Sequence, residues 1–165
     1  MTGRNDARRT DPTGPMTAAP RPRAQRRHDT EHRLAHDVDV WVASASAEGT
    51  PYLVPLSFDW DGEALWLATP ADSPTGRNLA ATGTARLALG STRDVTVIEG
   101  EVQVLGIDEP PREQGDRFTA RTGFDPRQET APYRWFRVVP HHIQAWRESN
   151  ELRGRDLMRK SHWLD

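Results

Sequence analysis

Apolar positions change period along this chain, and the change divides it. From Val40 onward large apolar residues alternate with polar ones, the period-two signature of half-buried strands. The clearest run is "PYLVPLSFDW" (51–60). Tyr52, Val54, Leu56, Phe58 and Trp60 fall on one face there, and Leu53, Pro55, Ser57 and Asp59 on the other. Pro55 has no amide to give a ladder, which predicts an edge or a bulge at that point. Further strands are predicted at "VWVASA" (40–45), "EALWLAT" (63–69), "ARLAL" (85–89) and "DVTVIEGEVQVL" (94–105). Asp61-Gly62 reads as a hairpin turn, and Gly100 as a bend of the kind a barrel requires. "YRWFRVV" (133–139) and 143–146 predict two more strands, separated by Pro140. The spacing shifts toward a helical one at 29–37 and at "EPPREQGDRFTARTG" (109–123), which Pro110 and Pro111 open and Gly123 closes. A short helix follows Ser73. About six strands with helices at their junctions predict a mainly β domain, a small antiparallel barrel spanning 29–165.

Residues 1–28 carry almost no large apolar side chain, and their seven arginines face only two aspartates. Such a segment buries too little apolar area to offset its ordering entropy, which predicts a disordered tail. The net charge of −2 excludes a general nucleic-acid binder, although the basic tail alone could tether one. Lys160 is the only lysine. There is no cysteine, hence no disulfide framework or thiolate chemistry. No apolar run approaches a membrane span, and the N-terminus lacks the apolar core of a signal peptide. A cytoplasmic protein is the expectation.

Chemistry-bearing candidates are few. His28, His32 and His36 would share one helix face, but no carboxylate or cysteine cluster joins them, so no metal site is expected. His141-His142 could act as a base or a haem ligand, packing being the simpler role. No nucleophile elbow, dinucleotide fingerprint or phosphate-binding glycine loop occurs. Arg121, Arg127 and Glu129 read as solvated charges. What remains is "TPADSPTGRNL" (69–79). Ser73 is a good N-cap and Pro74 suits the first helical position. The amides of Thr75, Gly76 and Arg77 would then face outward from a helix N-terminus, where an anion is favoured. Gly76 would let it come close, Arg77 would add a charged pair of hydrogen bonds, and Thr69 a hydroxyl. The plainer reading of these residues alone is a capped helix linking two strands, with Arg77 solvated.

The order of these elements resembles the split β-barrel flavoproteins of the pyridoxamine 5′-phosphate oxidase-like superfamily. The resemblance runs over most of residues 39–105. It rests on Gly49-Thr50-Pro51 entering a strand, Thr69 ending another, and Ser73 followed by Arg77-Asn78-Leu79. It implies a split antiparallel barrel of FMN-binding type, working as a homodimer, with FMN or alternatively coenzyme F420 in a groove between subunits. It implies an oxidoreductase that passes a hydride to a small organic substrate, or else a non-catalytic FMN, F420 or haem binder. Carried over residue by residue, Thr69, Ser73, Arg77 and Asn78 would meet the cofactor phosphate. Val54, Pro55, Leu56 and Ser57 would line its ring, with Trp146 and Arg147 added late in the chain. Two departures stand out. Pro74, Thr75 and Gly76 occupy places where many relatives carry Lys or Arg, leaving Arg86, Arg93 or a C-terminal arginine from the partner subunit to supply the missing charge. The C-terminus also lacks the Arg-x-His ending that reads pyridoxal phosphate, which argues against synthesis of that cofactor.

Overall fold

A computed structural model describes residues 18–165. Their elements run α1 (Arg23–His36), β1 (Asp39–Ala45), β2 (Pro51–Trp60), β3 (Leu65–Pro70), α2 (Pro74–Thr82), β4 (Thr84–Ser91), β5 (Asp94–Leu105), α3 (Arg112–Thr122), β6 (Tyr133–Trp146), β7 (Asp156–Arg159) and β8 (His162–Trp163). Neighbouring strands are antiparallel in the order β3-β2-β1-β4-β5-β6. β3 then pairs with β6, which closes six strands into a barrel. β7 and β8 continue outward from β6. The mainly β split barrel expected from the sequence is therefore the fold. None of the described helices is long and apolar enough to cross a membrane.

Alternation along the strands fills the barrel. Val42, Phe58, Leu65, Leu67, Leu87, Ile98, Phe136 and Val138 are fully buried within it. The intervening residues of β3 and β6 face outward, yet Trp66, Ala68 and Trp135 are buried too, under Phe118 of α3. β3 is thus covered on both faces, which explains its continuous apolar run "LWLA".

Three segments differ from the sequence reading. β6 does not break at Pro140 but runs through it, because the β5–β6 register shifts between Glu99 and Gly100. Glu99 pairs with His142 and Gly100 with Pro140, so His141 is the extra residue of a bulge. A proline without an N–H is tolerated there. Gly100 is needed for packing: a β-carbon on it would sit 2.6 Å from Val138 Cγ1 and 2.8 Å from the Val139 carbonyl oxygen.

The helix α1 begins at Arg23, inside the stretch expected to be disordered. Residues 1–17 of that tail lie outside the described residues. Ion pairs anchor the start of the helix, and Leu34 packs its last turn into the core. The Arg21 guanidinium bonds Glu151 (2.8 Å), Asp29 (2.7 Å) and Asp94 (3.2 Å). Arg33 and Arg147 meet the same Asp94 at 2.8 and 2.9 Å. Glu151 is only 3% exposed, and its hydrogen bond from Arg21 pushes its carboxyl down to about 2. The charged C-terminal tail, finally, forms the β7–β8 hairpin, which buries Leu157 and Met158 and turns on Lys160 and Ser161 at positive φ.

Candidate functional site

The split in the barrel makes the site. β2 pairs with β1 from Pro51 to Ser57, but its ladder with β3 covers only Phe58–Leu67, Asp59–Trp66 and Trp60–Leu65. Beyond Phe58 the two strands part, and a cleft of about 380 Å³ opens between Pro55, Leu56 and Ser57 on one side and Ala68 and Thr69 on the other. The amide of Phe58 donates to the Val38 carbonyl at 2.8 Å. Antiparallel alternation then turns the backbone groups of Val54 and Leu56 toward β1, and those of Leu53 and Pro55 toward the open edge. Because Pro55 has no N–H, it offers that edge an acceptor only. The cleft is thus bordered by strand backbone with no neighbouring strand among the described residues, which suits the polar edge of a flat heterocycle.

Aromatic side chains wall the other side. Phe118 of α3, Phe124 after it and Tyr133 at the start of β6 line the cleft, the last two with ring centroids 5.5 Å apart. Helix α3 is held to β2 by Asp59, a carboxylate only 4% exposed. Its Oδ2 accepts from Gln114 Nε2 (3.0 Å) and Arg117 Nη2 (2.5 Å), and Arg121 lies 3.7 Å from Oδ1. Arg121 also donates to the Leu34 carbonyl at 2.6 Å, tying α3 to the end of α1. It is no solvated charge, and neither is Arg127, which pairs with Asp125 and Asp116 at 2.8 Å each. The carboxylate lining the cleft, Asp39, accepts from Ser57 Oγ at 2.7 Å.

Helix α2 begins as its sequence predicts. Ser73 Oγ accepts from the Gly76 amide at 2.9 Å, Pro74 opens the helix, and Gly83 ends it in the left-handed conformation. This cap changes the anion reading. The Gly76 amide is taken by Ser73 Oγ and the Arg77 amide by the Ser73 carbonyl at 3.0 Å, so two of the three amides expected to face a phosphate are engaged. Gly76 serves packing instead: a β-carbon there would overlap the Pro70 carbonyl oxygen and stand 3.0 Å from that of Ala71. What remains for an anion is side chains. Thr69 Oγ1 and Ser73 Oγ lie 3.2 Å apart, and Arg77 is exposed, its guanidinium donating to the Asp72 carbonyl across the same turn.

The predicted residues divide accordingly. Pro55, Leu56, Ser57 and Thr69 meet at the cleft, with Ser73 bonded to Thr69 and Arg77 on the adjoining turn. Val54 packs on the barrel core. Asn78 donates to Ser44 Oγ at 3.1 Å and fastens α2 to β1. Trp146 and Arg147 do not reach the cleft in this chain: an unbroken β6 carries them to its far end, opposite Tyr133. There Trp146 lies under the Arg155 guanidinium and Arg147 joins the terminal ion pairs. Arg86 and Arg93, proposed to supplement the clamp, are paired with Glu99 and Glu148.

The aromatic wall was not foreseen. Its only sequence signal is Phe118 on the apolar side of the 109–123 helix, since Phe124 and Tyr133 lie in its flanking loop and strand start. A larger hollow of about 800 Å³ lies between α3 and the loop after it, but its chief charges, Arg127, Asp116 and Asp125, satisfy one another. Of the histidines, His32 and His36 stack at 4.1 Å and His142 bonds Asp156 at 3.0 Å. Among the described residues no group of three metal-ligating side chains converges.

Comparison with known proteins places this geometry. The profile of the family described as pyridoxamine 5′-phosphate oxidase matches residues 31–147, most of the chain. No curated protein matches in sequence. Among solved structures, an F420 reductase superposes with a TM-score of 0.55 at 19% identity, over 68% of this chain and 94% of its own. A conserved hypothetical protein of Mycobacterium tuberculosis gives 0.60 at 18% identity, over 74% and 85%. A heme binding protein of Mycobacterium smegmatis gives 0.61 at 14% identity, over 82% of this chain and 57% of its own. Likenesses this distant show the fold alone, but the profile match adds the sequence itself: this chain belongs to the pyridoxamine 5′-phosphate oxidase family.

Proposed function

We propose that the protein is an oxidoreductase that holds a flavin-type cofactor in the cleft at the β2–β3 split and passes a hydride to a small organic substrate. The observation that carries this reading is the cleft itself. An unpaired strand edge at Leu53–Ser57 faces an aromatic wall of Phe118, Phe124 and Tyr133, and the hydroxyls of Thr69 and Ser73 stand at one end. A planar tricyclic ring with a polar edge and a phosphorylated side chain matches those three features. Once bound, the ring would supply the redox chemistry. The chain's own residues position it, and the aromatic wall excludes water from one side. FMN is the cofactor of this reading and coenzyme F420 the alternative; among the described residues Asp39 is the one charged side chain lining the cleft.

A homodimer belongs to the same proposal. Trp41 (49% exposed) and Leu53 (59%) project from β1 and β2 on the face that carries Pro55, since Trp41 pairs with Pro55 and Ala43 with Leu53. An apolar patch of this kind marks an interaction surface. A second copy seated on it would lie beside the cleft, which Pro55 also lines.

One observation favours a non-catalytic cofactor binder instead. Among the described residues the cleft holds no free acid–base pair, its carboxylate being tied to Ser57. Purifying the protein and identifying the chromophore that accompanies it tests the cofactor. A flavin or deazaflavin spectrum, followed, once the bound cofactor has been chemically reduced under anaerobic conditions, by its reoxidation with a nitro- or quinone-type acceptor, supports the enzyme. A bound flavin that no acceptor reoxidises supports the binder, and a haem spectrum defeats the flavin reading.

A further inference from the structure

Helix α1 carries a feature that neither the barrel nor the cleft uses. His28, His32 and His36 follow one another at four-residue spacing on its solvent face, and all three are exposed. The rings of His32 and His36 stack, with centroids 4.1 Å apart and an interplanar angle of 19°. Nδ1 of His36 lies 2.8 Å from the His32 carbonyl oxygen. A carbonyl oxygen only accepts, so Nδ1 carries a proton and Nε2 of the neutral ring keeps its lone pair. A ring nitrogen bonded to a backbone carbonyl is also how metal-binding histidines are commonly oriented. The cations nearby are offset by carboxylates. Arg27 pairs with Glu31, Arg33 with Asp94, and Arg121, which meets this helix end from α3, with Asp59. The pair falls in the last turn of α1, the end at which helix carbonyls leave a partial negative charge.

We infer that His32 and His36 form a bidentate surface site for a transition-metal dication of the Ni²⁺, Cu²⁺ or Zn²⁺ class. Two histidines at i and i+4 on one helix face can bind zinc, and imidazole nitrogen suits all three ions. Each metal–nitrogen bond is about 2.0–2.1 Å long, so two of them span at most about 4.2 Å. Rings already 4.1 Å apart need only tilt toward each other, which exposed side chains can do. Among the described residues no group of three metal-ligating side chains converges, so the ion's remaining positions fall to water. This is a two-ligand chelate, a different thing from the four-ligand structural centre that the sequence argues against. It is separate from the cleft and does not rest on the flavin reading. Occupancy braces the turn that seats Leu34 in the core and that Arg121 ties to α3. Chelation needs the helical spacing, so the ion binds the folded chain more tightly than the unfolded one and stabilises it.

Isothermal titration of the untagged full chain with Ni²⁺, in a buffer that does not chelate, tests the site. The wild type should bind one ion per chain. His32→Gln and His36→Gln should each weaken that binding at least about tenfold, and His28→Gln should leave it unchanged. Ni²⁺ should raise the thermal midpoint of the wild type but not of His36→Gln. Without metal the midpoints of the two should agree, because both rings are exposed. Mg²⁺, which prefers oxygen ligands, should neither bind nor shift the midpoint. Failure of the wild type to bind Ni²⁺ stoichiometrically overturns the inference. A midpoint rise equal in the wild type and His36→Gln also overturns it. So does binding that survives in His36→Gln, whether it is then lost in His28→Gln, which places the ion one turn earlier, or in His141→Gln, which places it on β6.

Discussion

The two ends of β6 treat charge in opposite ways. At its last residues Arg147, Arg21 and Arg33 meet Asp29, Asp94 and Glu151 in a network where each carboxylate has an arginine partner. At its first residues Arg134 and the nearby Arg77 have no acidic partner among the described residues, and the strand edge beside them has no neighbouring strand. The first arrangement is saturated and holds α1 and the C-terminal turn onto the barrel. The second leaves donors, acceptors and positive charge facing solvent around a cleft. Buried polar groups that satisfy one another specify a fold, whereas groups left open at a concave edge are available to a ligand.

The comparison breaks most visibly at Glu151. Glu151→Ala leaves Arg21 buried without its main partner and is expected to lower stability by about 4 kcal/mol, read by denaturant unfolding, with flavin affinity unchanged. The same group gives a pH test. Its folded pKa of about 2 lies below the ordinary 4.5, so the unfolded chain binds the extra proton between them. The stabilisation is complete above about 4.5 and is lost as pH falls toward 2. Glu151→Gln should flatten stability across that window.

Asp59 holds α3 beside the cleft and, through Arg121, to the end of α1. Asp59→Ala strips Arg121 and Gln114 of a buried carboxylate and should cost about 3 kcal/mol of stability. Because Asp59 docks α3, and α3 carries Phe118, flavin affinity should fall as well, which Glu151→Ala does not cause. Arg77→Ala is the converse case: flavin affinity weakened by roughly 1.5–3 kcal/mol with stability within about 0.5 kcal/mol of wild type. The smallest effect on the single chain belongs to Leu53→Asp, which should leave unfolding unchanged and shift sedimentation from dimer to monomer. A wild type that sediments as a monomer contradicts the dimer.

Local pattern carried the barrel and failed where long-range pairing decides. Alternation at 51–60 and the Ser73-Pro74 helix start are short-range signals, and both elements form where the sequence places them. Pro140 reads locally as a break, but a bulge opposite Gly100 absorbs it. Arg21 and Arg26 read as disorder because their counter-charge, Glu151, comes near the other end of the chain. The β7–β8 turn uses Lys160 and Ser161 where a sequence reading looks for glycine or asparagine. In the site, β2 and Thr69 were legible through motif and alternation. The aromatic wall was not, since only strand pairing and helix docking bring Phe118, Phe124 and Tyr133 to the cleft.

The most direct test fills the cleft. Ser57→Trp places an indole between β2 and the aromatic wall at a partly exposed edge position, where the fold should tolerate it. FMN fluorescence would be followed as wild-type protein and the folded variant are added. Saturable quenching by the wild type, weakened at least about tenfold in Ser57→Trp, is the expected result. Quenching equally strong in the variant, or none in the wild type, would contradict a flavin site at the β2–β3 split.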